Sequence, residues 1–263
     1  MPKLIGPITY TGTFNNMTAY KMRGSDKIIL RMKGGASKEQ IKNSTCFAQV
    51  RKNNAEFGAS AKAAARIRLA LTYIKHLADP GSTGRLNSLC KTILKQDSVN
   101  LHGQREVSFA KHGQLLEGFN FNKELLLNSV IRHPFSCTVN RDTGSATLLI
   151  PALIPGVNFY SPPQHHLCRF IIVLGLVPDI TFKTDSYLPI PQIGSRETVH
   201  SEWFSTRNQL DEQRFELQFQ NFTGLENSNS MILAIGVEYG QAVSNKVIER
   251  VPYAGCASIL ATG

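Results

Sequence analysis

Neither Gly-x-x-x-x-Gly-Lys-[Ser/Thr] nor Gly-x-Gly-x-x-Gly occurs in this 263-residue sequence, so the two common backbone cradles for phosphate are missing. The hydrolase signatures Gly-x-Ser-x-Gly and His-Glu-x-x-His are missing as well. Long apolar runs are absent. The longest, Phe170 to Val177 (FIIVLGLV), has eight residues, whereas a membrane helix needs roughly 20, so no membrane segment is expected. There is no Cys-x-x-Cys. The five cysteines (Cys46, Cys90, Cys137, Cys168 and Cys256) are odd in number and widely spaced. Because MPKLIGPITY has no export-type apolar region, reduced, core-filling thiols are expected in a cytoplasmic setting or inside a virion-like particle. Without export, the glycosylation sequons headed by Asn16, Asn43 and Asn221 carry no meaning.

Acidic residues are scarce in the first part of the chain. Residues 1–95 hold 17 Lys+Arg against 4 Asp+Glu, a balance of +13, and residues 96–263 carry −3, which returns the total of +10. Asymmetry of this kind points to a polyanion partner or to a solvated basic face. The apolar content of 42% is that of a folded globular protein.

Three segments differ in pattern. In residues 1–36, Tyr20, Met22, Ile28, Leu30 and Met32 alternate with Lys21, Arg23, Lys27, Arg31 and Lys33 around RGSD. Alternation with period two predicts a hairpin. Cross-strand partners share a face, so a three-residue Gly24-Ser25-Asp26 loop would place Met22 opposite Ile28 and Tyr20 opposite Leu30, giving one apolar docking face and one basic face. A two-residue Gly24-Ser25 loop would pair Lys21 with Ile28 and mix the faces. Residues 37–97 read as helical. Ser37 and Gln40 have capping-box spacing, an interruption is expected near Asn53-Asn54 or Gly58, Asp79-Pro80-Gly81 ends the first helix, and a second fits 83–96. Lys62, Arg66 and Arg68 fall outside the inner stripe of Ile67, Leu71 and Ile74 and join the candidate polyanion-binding residues. Residues 98–263 turn to strand-like alternation, clearest in QRFELQFQNF, with 183–212 as an excursion from the sheets. The fold expected is α+β: a basic hairpin arm and a helical pair, then an antiparallel β-sandwich of immunoglobulin-like size.

Chemistry is thin. His165, His166 and Cys168 in PPQHHLCRF are zinc-type residues, but they lack a second ligand pair, and a loop-to-strand junction with a buried cysteine explains them. No metal, no cofactor and no catalytic residue are expected. Tyr20, Phe47 and Tyr73 could stack on bases beside the basic side chains.

The stretch TGTFNNMTAYKMRGSDKIILRMKGG followed by KEQIKNSTCFAQVRKNNAEFG, together with VLGLVPD and AIGVEYGQ further on, resembles a family of uncharacterised proteins from Bacteroidetes genomes. These begin with a Gly-rich hairpin, an Arg/Lys-x-Lys-Gly segment and a basic helix. The resemblance implies a bacterial or phage-related origin and no activity. Two functions follow as expectations. One is a non-enzymatic structural protein that self-associates through its arm into a homo-oligomer or larger assembly. The other is non-specific binding of RNA or DNA by the basic N-terminal region.

Overall fold

The structure, a computed structural model, describes residues 10–22, 26–32, 34–183, 186–187, 195–220, 222, 224, 228–244 and 247–263. The fold is α+β with antiparallel sheets. Two compact units are resolved by their internal contacts, Met1–Arg51 and Lys52–Gly263. The pattern change at 97/98 is therefore not a boundary between units, and the helices after Lys52 share a core with the sheets that follow them.

The first unit holds a three-stranded antiparallel meander: β1 (Gly12–Phe14), β2 (Met17–Lys21) and β3 (Ile28–Met32). Asn15-Asn16 joins β1 to β2. Asn15 sits at φ 48°, the left-handed region that primed hairpin turns need at their first central residue and that asparagine tolerates. Between β2 and β3 the register pairs Lys21 with Ile28, Tyr20 with Ile29, Ala19 with Leu30 and Met17 with Met32. This corrects the expected register by one residue. The reason lies in β1: its Phe14 pairs with Met17, which pairs with Met32, so the adopted register lines three large apolar side chains across all three strands. The alternative would have set Thr18 opposite Met32. The turn residues Gly24 and Ser25 lie outside the described residues, as do Arg23 and Lys33.

Helix α1 (Lys38–Asn43) follows. Its capping box is formed as the sequence implies: Gln40 N–H donates to Ser37 Oγ (3.2 Å) and Ser37 N–H to Gln40 Oε1 (2.8 Å). The interruption falls at Ser44–Phe47, earlier than expected. There a 3-10 turn, Thr45–Phe47, leads into α2 (Ala48–Ala70), which runs unbroken through Asn53-Asn54 and Gly58. Arg51 Nη1 locks the junction by donating to the carbonyls of Ile41 and Ser44, both at 2.8 Å.

The second unit is layered. Its central sheet contains β6 (Leu167–Pro178), β12 (Asn229–Ser244) and β13 (Val247–Thr262), with β9 (Arg196–His200) and β10 (Phe204–Ser205) along the other edge of β6. The second sheet is β4 (Ser136–Asn140), β5 (Ser145–Ile150) and β11 (Gln213–Gln218); β7 (Phe182–Lys183) and β8 (Ser186–Tyr187) form a small ladder of their own. Alternation decides which side chains go where. Ile171, Val173, Ile232 and Ala234 face the helices; Phe170, Ile172, Leu174, Met231, Leu233 and Ile235 face the second sheet. Burial on both faces is why FIIVLGLV reads as one continuous apolar run. Part of the expected excursion is sheet: β9 and β10 extend the edge, and Val199 packs into the inter-sheet core.

Helical spacing puts Ala59, Ala63, Ile67 and Ala70 of α2, and Leu86, Cys90, Ile93 and Leu94 of α3 (Ser82–Lys95), on the sheet. After Leu71 the chain tightens into a 3-10 helix, Thr72–Leu77. Gly175 and Gly236 let this segment approach. A Cβ on Gly175 would stand 2.8 Å from Ala70 Cβ, and one on Gly236 would stand 2.6 Å from Leu77 Cδ1. Because Ala70 belongs to rigid helix, Gly175→Ala is expected to cost about 1–3 kcal/mol, the usual overpacking penalty, read as a lower urea midpoint at unchanged slope.

Asp79 fixes the turn into α3. It accepts from Arg85 Nη2 (2.8 Å) and Nη1 (3.1 Å), from Gly81 N–H (2.6 Å) and from Lys123 N–H (2.9 Å). The Arg85 bonds dominate; burial opposes them, and the two backbone donors complete a set that holds the carboxyl at about 2. A carboxyl lowered by folding stabilises the fold in full above its ordinary value of about 4 and loses that contribution as pH falls through its folded value. Asp79→Asn is therefore expected to be less stable at pH 7 and to show a flatter stability profile between about pH 4 and 2. Urea denaturation across that window tests this; parallel profiles for the two proteins would contradict it.

Candidate functional site

The adopted register gives the N-terminal sheet one apolar face. Phe14, Met17 and Met32 form a cross-strand row, Ala19 and Leu30 the next, and Lys21 with Ile28 the last. Phe14 is 63% exposed and Met32 70%, although both are large and apolar. The other face carries Thr13, Thr18 and Arg31, then Tyr20 and Ile29. Of the five residues expected on the docking face, Ile28, Leu30 and Met32 share it. Tyr20 lies on the opposite face, and Met22 is exposed beyond the end of β2. Phe14 and Met17 complete the face. Their signal was present in TFNNM, where an Asn-Asn pair sits between alternating residues.

Among the described residues of the N-terminal strands, the basic side chains are divided between the two faces, Lys21 on one and Arg31 on the other. Lys21 is at the rim of the apolar face, paired with Asp26 at 2.7 Å, and both are exposed. Lys27, Arg31 and Lys62 are exposed. Arg66, expected outside the inner stripe, is buried: it lies one residue before Ile67 on the core-facing side of α2, where the stripe is mostly alanine and leaves room for a long side chain. Its Nη1 donates to the Asp179 carbonyl at 3.2 Å, and burial lowers its pKa. Arg68 is half-buried and lines a cavity of about 180 Å³ with Leu71, Lys75 and Asp79. Of the expected stacking residues, Tyr20 and Phe47 are half-buried, and Tyr73 is 40% exposed.

A polar constellation in the second unit had no motif to announce it. Glu238 on β12 pairs in register with Arg169 on β6, and is 1% exposed. Arg169 Nε donates to Glu238 Oε2 at 2.7 Å and Nη2 lies 2.6 Å from the same oxygen, while His76 Nε2 donates to Oε1 at 2.6 Å. Burial alone would push the Glu238 carboxyl up; the bonds from His76 and Arg169 outweigh it and hold the carboxyl below its ordinary value. The Arg169 guanidinium lies over Trp203, the single tryptophan, 4.6 Å from the ring centre. Trp203 packs on Gly240, where a Cβ would meet the ring at 2.6 Å. Along β9, Arg196 lies over Tyr73 at 5.7 Å and donates from Nη1 to the Leu69 carbonyl at 3.3 Å. His200, four residues on, is exposed; burial, Arg169 and His76 lower its pKa against the pull of Glu238. The sequence signal for the pair was a single charge inside each of two apolar strand runs, LCRFIIV and AIGVEYG, since a buried charge requires a partner.

His165 stacks on Tyr239 with ring centres 4.7 Å apart, and Cys168 is buried on β6, where burial pushes its thiol up. Among the described residues, no group of three or more His, Cys, Asp or Glu could hold a metal ion, and no helix is long and apolar enough to cross a membrane. In comparisons with family models, curated proteins and solved structures, nothing matches the chain.

An amide at 238 removes the charge and turns one of the two acceptor oxygens into a donor, so Arg169 and His76 cannot both keep their bonds. Glu238→Gln is expected to lower stability by roughly 3 kcal/mol, the low end for breaking a buried pair because the Arg169 and His76 side chains keep some contact with water. Tryptophan emission should shift as Arg169 leaves Trp203. An unchanged unfolding midpoint and spectrum would show that the pair holds nothing in place.

Proposed function

We propose that the protein is a non-enzymatic assembly protein whose N-terminal sheet docks onto a second copy of the chain, a coat-like plan by analogy. The observation that carries this is the exposed Phe14–Met17–Met32 row, continued by Leu30 and Ile28, on one face of a three-stranded sheet. A sheet with one apolar face needs a second layer. Among the described residues of the unit, neither helix α1 nor the 3-10 turn Thr45–Phe47 buries any of its residues. Stacking the same face of two copies would supply that layer, and such a contact is self-complementary and closes with two-fold symmetry. The test is light scattering after size exclusion at physiological salt. The natural chain should run as a dimer or larger, and Phe14→Asp with Met32→Lys should run as a monomer with unchanged circular dichroism. A natural chain that stays monomeric at high concentration sinks the proposal.

The +13 charge of residues 1–95 favours a second reading, non-specific nucleic-acid binding by that region. Protein purified at low salt would then carry a raised 260/280 absorbance ratio, lost when Lys21, Arg23, Arg31 and Lys33 are all changed to Glu.

A further inference from the structure

The β9 edge of the central sheet presents Tyr73–Arg196, His76, His200 and Arg169–Trp203 in sequence along one side of the sheet. Arg196 and His200 share a face of β9 because they lie four residues apart, about 13 Å at 3.3 Å per residue. His200 pairs with Ile171, whose side chain is on the helix side, and so shares that side with Arg169 two residues earlier. We propose that this strip is a binding surface for single-stranded nucleic acid. It is distinct from the N-terminal sheet and does not depend on the assembly reading.

Three features carry the inference. First, the strip alternates flat rings with cations. Each of its two arginines lies over an aromatic ring, at 4.6 and 5.7 Å. Rings and guanidinium planes are the surfaces on which unpaired bases stack, and neighbouring cations take the phosphates. Second, the polar side chains of the strip are held in advance of binding. Glu238 fixes Arg169 and His76, and the Leu69 carbonyl fixes Arg196, so less side-chain freedom is lost when a ligand arrives. Third, the carboxylate that does this holding is 2% exposed and lies behind its partners, so it does not face an incoming anion. The exposed carboxylate of Glu202, beside Trp203, limits the strip at one end. Stacking on rings does not distinguish one base from another, so the ligand expected is a single strand of any sequence. In a duplex the base faces are already stacked and unavailable, and an acidic peptide would leave the rings unused.

Trp203 reports on the site directly, because it is the only tryptophan in the chain. Titrating the full-length protein with oligothymidylate at low salt should quench its emission saturably, with a matched duplex and heparin both weaker. Tyr73→Ala and Arg196→Ala should each weaken binding about tenfold, the usual effect of losing one stacking platform. Tyr73→Phe should restore it, since the ring is kept. Arg31→Glu on the N-terminal sheet should leave the titration unchanged, and so should the Phe14→Asp/Met32→Lys pair. Absence of quenching overturns the proposal. Heparin quenching as strongly as oligothymidylate overturns it in favour of a plain polyanion site, and an equal response to an acidic peptide overturns it in favour of a protein partner. Loss of binding in Arg31→Glu with retention in Tyr73→Ala overturns it in favour of the N-terminal region.

Discussion

Twelve residues of β6 pair with twelve of β12, and along the middle of that stretch both strands are covered on both faces. Much else in the second unit follows from that constraint. A strand sealed on both sides has no polar face, so its residues are apolar at successive positions, and the helices and the second sheet must each bring their own apolar side to meet it. The glycines at 175 and 236 belong to the same constraint, since they decide how near the helical layer can lie. It also explains why a charge on either strand is exceptional. Arg169 and Glu238 are tolerated because they lie opposite each other in register, so that one pairing satisfies both.

The first unit works under the opposite condition. Three strands of three to five residues give it one layer, and register alone decides whether that layer has a coherent apolar face. The adopted register collects Phe14, Met17, Leu30 and Met32 on one side and leaves the other mixed, with Tyr20 and Ile29 beside Thr18 and Arg31. Among the described residues, Lys21 and Arg31 therefore lie on opposite faces of the sheet. Lys21 ends on the apolar side, at its rim, where Asp26 is near enough to pair with it.

Period-two alternation made the strands of the N-terminal sheet legible, and the Ser37/Gln40 spacing made the start of α1 legible, because both are local patterns. Register was not legible from the two strands that alternate most clearly, because the third strand decides it; the Asn15-Asn16 pair signals a turn there, but a three-residue strand, GTF, is too short to fix a register. The burial of Arg66 escaped for a related reason. Helical spacing places it next to the stripe, but whether a long side chain can reach a carbonyl 113 positions away depends on tertiary structure. The Glu238 constellation draws on the 3-10 helix and on β6, β9 and β12, and nothing in a linear pattern brings His76, Arg169 and Glu238 together.

Burial of an ion pair is weak grounds for stability. Two well-packed aliphatic side chains at 169 and 238 would keep every backbone pairing of β6 with β12 and would avoid the desolvation of a carboxylate and a guanidinium. What they would lose is everything attached to the pair: the donor from His76, the guanidinium over Trp203, and the fixed position of both at the sheet edge. Folding alone has no need of those features, because Ile74 and Leu77 already anchor the 3-10 helix on the sheet through apolar contact. The pair is better understood as a device for holding the Arg169 guanidinium still over Trp203 at the sheet edge than as a source of stability.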